Sequence, residues 1–356
     1  MARLFGRETG RQEIETSTGT LAQVAGIRMM TLADGAEQGV RIADVRTGSG
    51  LRYQVTLDRG MDISVAEYRG IPLAFRTPAG DVHPSRFEPE GRGWLRTFPG
   101  GLMTGCGMTY CGAAGADGEA SLGLHGRLSH TQAEEVSRAQ EWQADECTFR
   151  LTGRLRESTM FGENLLLVRT IESSLGRSTI AIRDTVRNES HERTPLMMLY
   201  HINAGWPLVE PGTRLLLGSA QTSPRDADAV RGLADWKVCS GPVAGFAEQV
   251  YYHECVPDGE GYISALLANS RLPLGLHLRF RARELPRLIQ WKMMGEGTYV
   301  MGLEPANCRV GGRGAERREG TLRFIDPGEE CSFEVQLSVL DGPEEIRSIA
   351  NRYRLG

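Results

Sequence analysis

The segment from Pro195 to Pro207 contains the first residues whose types and spacing could do chemistry, because an apolar run with strand spacing ends there among polar groups. On a strand, successive side chains point to opposite faces, so His201 and Asn203 share one face. Buried polar side chains need hydrogen-bond partners. Two interpretations stay open: the pair bonds within the protein, as many structural histidines do, or it contacts a ligand.

His125 and Glu304 are two further candidates for chemistry. His125 lies in a short segment that also contains Arg127, and Glu304 ends an apolar run just before Pro305. Proline interrupts a hydrogen-bonded ladder, so we expect Glu304 at the rim of a sheet, where a glutamate is usually only solvated. We expect all three candidates near strand ends. Two histidines and one glutamate are also a ligand set for a divalent metal with an open position.

The composition excludes several classes of function. The chain has 356 residues, a net charge of −4 and scattered arginines, so it has no basic surface typical of nucleic-acid or anionic-membrane binding. No apolar run is long enough to span a membrane, and the first residues lack the apolar core of a signal peptide, which predicts a cytoplasmic protein. The seven cysteines contain no C-x-x-C pair, so we expect reduced, mostly buried thiols. The sequence shows no nucleotide, haem or flavin signature, and we predict no cofactor and no metal.

Short alternating runs separated by turn residues predict antiparallel strands along most of the chain. They begin between residues 20 and 75 and return after a Gly- and Pro-rich stretch, residues 77–120, that predicts a long ordered loop. Residues 131–145 fit a helix or a strand equally well, and residues 219–247 predict irregular covering structure. Core sheets are expected over residues 121–340, with clear alternation in Phe149–Leu155, Leu165–Ile171 and Ile180–Val186.

The end of the chain predicts its clearest helix, over residues 342–353. Pro343 suits a first helical turn, and Glu344 and Glu345 lie at its positive end. No strand and helix alternate elsewhere, which argues against a parallel α/β fold. We therefore predict a mainly β protein, a single large antiparallel sandwich domain over residues 1–356 with a short C-terminal helix.

Three short motifs, Leu124-His125-Gly126, the strand containing His201, and Leu303-Glu304-Pro305, resemble in this order the aldose 1-epimerase (galactose mutarotase) family. A narrower resemblance, to the related DUF4432 group, covers roughly residues 20–340 and also rests on the motif Leu57-Asp-Arg-Gly-Met-Asp-Ile63. The resemblance implies a β-supersandwich fold and interconversion of the anomers of a free sugar. It implies that Glu304 is the general base, that His201 is the general acid, and that His125 binds and polarises the sugar. Such a reaction needs a paired acid and base, because a neutral hemiacetal must lose one proton and gain another.

The resemblance also implies substrate-binding residues, and we expect them to be Arg76, Arg127, Asn203 and Glu248. Tyr200 precedes His201 where mutarotases usually have Asn, and Arg59 and Arg127 are not part of the galactose enzyme pattern. Because guanidinium groups pair with carboxylates, two added arginines would suit an acidic or oxidised sugar.

Two alternatives stay open. One is a metal-dependent isomerase, lyase or hydrolase with His125, His201 and Glu304 as ligands, and the other is a non-catalytic carbohydrate-binding protein. The expected partner is a small-molecule sugar, without nucleic acid or membrane, and the sequence leaves open whether the protein is a monomer or a homodimer.

Overall fold

Two large antiparallel sheets face each other, and the side chains between them form the main hydrophobic core. The computed structural model describes the backbone of residues 1–356 and every side chain except that of Ala220. Ile202 from one sheet and Leu167 from the other belong to the same buried cluster. On strands with one face in the core, such as Thr179–Asn188, burial of alternate residues follows from the period of two in side-chain direction.

One sheet has eight strands and contains the regular alternation seen in the sequence. In spatial order its strands are Glu134–Gln143, Glu146–Ser158, Asn164–Ser174, Thr179–Asn188, Glu330–Asp341, Leu274–Arg281, Tyr262–Ala268 and Arg214–Leu217.

The other sheet has eleven strands and holds the candidate residues His201 and Glu304. Ten of its strands lie side by side, and the short strand Ile71–Pro72 pairs with Asp62–Tyr68. In spatial order the ten are Ser219–Pro224, Gln249–Cys255, Arg287–Gly295, Thr298–Ala306, Met197–Gly205, Met103–Met108, Asp62–Tyr68, Leu51–Thr56, Arg41–Arg46 and Gly26–Thr31.

Short elements complete the fold. Three two-stranded pairs join Ala2–Leu4 with Arg7–Thr9, Gly115–Asp117 with Ala120–Leu122, and Thr194–Pro195 with Phe324–Ile325. The α-helices are Arg11–Ser17, Ala227–Arg231, Arg313–Arg318 and Pro343–Arg352, and the 3-10 turns are Leu21–Gln23, Gly35–Glu37, Pro84–Arg86, Gly93–Arg96, Leu128–His130 and Leu233–Asp235. In the part of the chain that is described, no helix has the length and apolar character needed to cross a membrane.

The predicted fold class is confirmed: the protein is mainly β, its sheets are antiparallel, and a short helix ends the chain. The three alternating runs between residues 149 and 186 are strands, and the undecided segment 131–145 contains the strand Glu134–Gln143. The cysteines are all free, and most of them are buried.

Two predicted irregular segments contain strands, so the sequence prediction is wrong there. Met103–Met108 lies within the predicted loop but forms a fully buried strand of the eleven-stranded sheet. Ser219–Pro224 lies within the predicted cover and forms that sheet's edge strand. In Met103–Met108, Gly105 and Gly107 weaken the strand propensity. Because this strand is buried on both faces, it also lacks the alternation of apolar and polar residues that marks a strand in a sequence.

The expectation that His201 lies near a strand end is also wrong, and so is the expectation that Glu304 is solvated at a sheet rim. His201 is in the middle of Met197–Gly205, and the strand that carries Glu304 continues through Pro305 to Ala306. Pro305 is paired with Leu288 on one side of its strand. The proline is therefore accommodated inside the sheet, and Glu304 is buried there rather than solvated at a rim.

Candidate active site

His201 and Glu304 lie on neighbouring antiparallel strands and are in direct contact. The register pairs Ile202 with Leu303 and Leu199 with Ala306, which places His201 opposite Glu304. Ile202 follows His201 and Leu303 precedes Glu304, and both of these neighbours point into the main core. The side chains of His201 and Glu304 therefore point to the opposite face of the sheet. The Nε2 atom of His201 is 3.2 Å from Oε1 of Glu304, and the two residues are only 6% and 3% exposed.

A cavity of about 410 Å³ opens above this pair on the outer face of the eleven-stranded sheet. This volume falls within the range of small-molecule sites. Aromatic rings of Trp94, Phe98 and Trp291 form much of its wall. The polar lining consists of His125, His201, Glu304, Glu248, Arg225 and Arg92.

Glu248 is held at the cavity by two donors. Arg225 Nη2 donates to one of its oxygens over 3.0 Å, and the indole Nε1 of Trp291 donates to the other over 2.9 Å. Arg225 also donates to Asp226, so its guanidinium is fixed from a second side. These bonds orient a carboxylate toward the cavity and leave further lone pairs on it for a ligand.

His125 reaches the same cavity from the segment that covers the sheet. Its backbone has a φ of +56°, an uncommon conformation for a non-glycine residue. Backbone bonds from its N–H to Gly112 and from Gly107 to its carbonyl hold that conformation on both sides. The His125 ring lies 5.9 Å from the ring of His201 and 4.8 Å from that of Trp94, centroid to centroid. Strained backbone that is held this firmly is often found at functional sites.

Burial sets the protonation of the three titratable groups. It raises the pKa of Glu304 to about 8, with a smaller effect in the same direction from Glu248. Burial, with a smaller contribution from nearby His125, lowers the pKa of His201 to about 3. The pKa of His125 is also lowered by burial.

The contacting pair therefore holds one exchangeable proton at neutral pH. Because two interacting groups titrate as a unit, that proton belongs to the pair rather than to Glu304 or His201 alone. It can lie on the carboxyl group, or it can move to the imidazole and leave a carboxylate. The pair is thus equipped both to accept and to donate a proton at one side of the cavity.

Trp94 and Phe98 are positioned by a buried network behind the cavity wall. Arg59 is 0% exposed and donates to the backbone carbonyls of Val82 and Thr97. His130 lies 2.7 Å from the Thr97 hydroxyl, through its Nε2 atom. These bonds tie the covering segment to the sheet.

Gly302 leaves room for the carboxyl group of Glu304. A Cβ atom at this position would be 2.9 Å from the Cβ of Trp291 and 3.3 Å from Oε1 of Glu304. The first distance is too short for any side chain, so the glycine is required for the packing of both residues.

The model of the family described as a domain of unknown function, DUF4432, matches residues 37–339. The chain belongs to this family. A comparison with curated proteins finds no match.

Several solved structures share the fold of this DUF4432 protein. A candidate aldose 1-epimerase from Klebsiella pneumoniae has a TM-score of 0.88 and 24% identity, over 92% of this chain and 86% of the other. A galactose mutarotase-like protein from Clostridium acetobutylicum has a TM-score of 0.62 and 14% identity, over 90% and 99%. The galactose 1-epimerase of Lactobacillus acidophilus has a TM-score of 0.57 and 11% identity, over 89% and 99%. The DUF4432 protein therefore has the galactose mutarotase-like fold.

Four of the residues expected from the sequence line the cavity, namely His125, His201, Glu304 and Glu248. Three others lie outside the lining. Arg76 is held by Asp81 through bonds of 2.9 and 3.0 Å. Asn203 is buried next to His201 in the sheet, and Arg127 lines a separate cavity with Glu157.

The arginines that suggested an acidic sugar are not at the cavity. The guanidinium of Arg59 donates its hydrogen bonds to backbone carbonyls. Asp58 forms an ion pair with Arg41, and Arg127 lines a different cavity. That argument for an anionic substrate is therefore wrong as it stood. Arg92 and Arg225 line the cavity instead, and neither stood out in the sequence.

Sequence reasoning also missed Trp94 and Trp291, the aromatic walls. Trp291 lies on a recognised strand between Gln290 and Lys292, two polar residues that alternation would place outside, with Trp291 in the core. The structure buries both polar residues and turns Trp291 to the outer face, so no local pattern predicts its position. Trp94 lies in an irregular segment, where no periodicity predicts direction.

The metal alternative requires several donor side chains that converge on one point. Among the described residues, no group of three or more His, Cys, Asp or Glu side chains is arranged to hold a metal ion. His201 and Glu304 instead contact each other directly.

Proposed function

We propose that this DUF4432 protein is an isomerase of the aldose 1-epimerase type, which interconverts the anomers of a free sugar. The observation that carries the proposal is the contact of Glu304 with His201 at the base of an aromatic-walled cavity. Interconversion of anomers needs an acid and a base within a few ångströms of each other, because the anomeric hydroxyl and the ring oxygen are bonded to the same carbon.

In the proposed mechanism, the proton of the pair moves to His201 when the sugar binds. The Glu304 carboxylate then takes the proton of the anomeric hydroxyl, while the His201 imidazolium gives its proton to the ring oxygen. The bond between the ring oxygen and the anomeric carbon breaks, and the open-chain aldehyde forms. Rotation of the carbonyl followed by the reverse transfers closes the ring with the other configuration.

The number of protons on the pair is the same at the start, in the middle and at the end of this cycle. Glu304 and His201 only exchange which of them carries the proton. A site with this property needs no proton from solvent during turnover, which suits a buried pair. Each positioned acid or base contributes about 10²–10⁴-fold to the rate.

The remaining lining residues would orient the sugar. The neutral imidazole of His125 can donate to or accept from a sugar hydroxyl, and its Nδ1 faces Cys111 at 3.9 Å, so its Nε2 is free for this contact. The carboxylate of Glu248 can accept from two hydroxyls. The apolar face of a pyranose packs well on aromatic rings such as Trp94 and Trp291.

The charge of the substrate is the finer part of the proposal. Arg92 and Arg225 support an acidic sugar, because a guanidinium pairs with a carboxylate. Glu248 and Asp226 already bind Arg225, so Arg92 is the cation best placed for a substrate carboxylate. A neutral hexose is the competing substrate.

Anomer exchange measured by NMR tests the proposal. Free neutral, acidic and keto sugars are supplied in turn, and the exchange between α and β signals is compared with and without protein. We expect at least one class to exchange faster with protein, and Arg92→Met to slow an acidic sugar more than a neutral one.

Matched variants separate catalysis from binding. His201→Asn and Glu304→Gln should each slow exchange by about 10²–10⁴-fold, while the exposed controls His191→Asn and Glu296→Gln should not. Sugar binding without any acceleration of exchange would contradict the proposal and favour a binding protein.

A further inference from the structure

The side-chain amide of Asn203 lies beside His201, on the same face of the same strand. Asn203 is 0% exposed, and its Nδ2 donates to the backbone carbonyl of His201 over 3.0 Å. Because a carbonyl oxygen only accepts, this bond fixes which end of the amide is which. The amide oxygen is therefore the end that remains for another partner.

Two buried atoms in this corner have no partner among the described side chains. They are Oδ1 of Asn203, an acceptor, and Nδ1 of His201, which is a donor when it carries the ring hydrogen. A buried polar atom left unpaired costs about 1–3 kcal/mol. Pairing these two neighbouring atoms with each other would remove both costs.

We infer that Asn203 is a positioning residue whose Oδ1 accepts the Nδ1 hydrogen of His201 and so fixes the tautomer of the ring. This inference rests on the proposed function for its consequence, because the fixed tautomer presents Nε2 to Glu304 and to the sugar. It gives Asn203 a role behind the imidazole in place of the direct sugar contact expected from the sequence.

An amide suits this position better than a carboxylate. In the neutral ring the Nε2 lone pair faces Glu304, and in the imidazolium the Nε2 hydrogen faces the ring oxygen of the sugar. The Nδ1 hydrogen stays on Asn203 in both states, because an amide oxygen does not take a proton at neutral pH. Proton exchange is thereby confined to the nitrogen that faces the cavity. In agreement, Asn203 acts to raise the pKa of His201 against the larger effect of burial.

Long-range ¹H–¹⁵N correlation spectra of the histidine-labelled protein at pH 7 test the inference directly. They report which ring nitrogen carries hydrogen, and His201→Asn assigns the signal. We expect the Nδ1–H tautomer in the wild type and a shift toward the Nε2–H tautomer in Asn203→Leu. His253 is an internal control, because both of its ring nitrogens already have partners, Thr222 and Gln290.

Kinetics of the same variants test the consequence. Asn203→Leu should lower kcat about 10- to 100-fold with little change in KM, a loss of the size found when the partner that fixes the tautomer of a metal-binding histidine is removed. Asn203→Asp has nearly the same shape and should keep the fold. Its carboxylate stabilises the imidazolium and should move the alkaline fall of activity to higher pH.

The outcomes separate this inference from the proposed function. An Nε2–H tautomer in the wild type, or a tautomer unchanged in Asn203→Leu, would overturn the role of Asn203 even if the protein exchanges anomers. An Nδ1–H tautomer that depends on Asn203 would support it even if no sugar tested is a substrate.

Discussion

Removing the carboxyl group of Glu304 should make the protein more stable at neutral pH while it removes activity. Burial raises the pKa of Glu304 from 4.5 to about 8, so the folded protein binds this proton more tightly than the unfolded chain. The contribution of this proton to the free energy of unfolding is therefore largest below about pH 4.5, and it decreases as the pH rises toward 8. Glutamine is neutral at every pH and has no such cost, and its amide can still donate to Nε2 of His201.

The size of the effect follows from the same pKa values. Each pH unit between the unfolded and folded pKa costs about 1.4 kcal/mol, so at pH 7 the wild type loses up to about 3 kcal/mol relative to its stability near pH 4.5. Glu304→Gln should recover most of that loss at pH 7 and little of it near pH 4.5. Replacement of an active-site group often makes an enzyme more stable while it lowers activity.

Urea denaturation of the two proteins between pH 4.5 and 8 measures this difference in free energy of unfolding. Glu296→Gln is the control, since its carboxyl group is exposed. A variant that is less stable than the wild type at every pH, or a difference that does not grow with pH, would show that the buried carboxyl group does not destabilise the protein at neutral pH.

Three more outcomes are expected. Anomer exchange should fall about tenfold per pH unit above about pH 8, because the Glu304–His201 pair then loses its proton. A base acting alone would instead become more active as the pH rises, and a pH profile of kcat/KM separates the two outcomes. Gly302→Ala should lower exchange strongly because its Cβ collides with the neighbouring strand's side chain, and Gly259→Ala, where nothing lies within 4 Å, should not. Arg59→Met should lower the thermal midpoint and raise KM, because the segment carrying Trp94 loses its anchor, while the exposed control Arg86→Met should leave both unchanged.

The sequence predicted best the strands that alternate between a core face and a polar face. Residues such as Ile180 and Ile182 alternate with polar neighbours, and the strand Thr179–Asn188 follows that pattern closely. Met103–Met108 was missed because it is buried on both faces and interrupted by glycine. Pro305 suggested a strand end, and only the sheet itself shows a proline inside a paired strand.

The candidate site was predicted in part for a related reason. His201 and Glu304 are buried polar residues in apolar runs, and such residues stand out in a sequence. Arg92 and Trp94 come from an irregular segment, where side-chain direction depends on tertiary packing. Arg59 stood out as a motif residue, but its hydrogen bonds to backbone carbonyls are not visible in any local pattern.

The central claim is that Glu304 and His201 form a single proton-transfer unit. Magnetisation-transfer NMR of anomer exchange in Glu304→Gln, His201→Asn and the double variant tests it most directly, because residues that act as one unit have strongly non-additive effects. We expect the double variant to be about as slow as the slower single variant. Losses that multiply in the double variant, or single variants that exchange anomers at the wild-type rate, would contradict it.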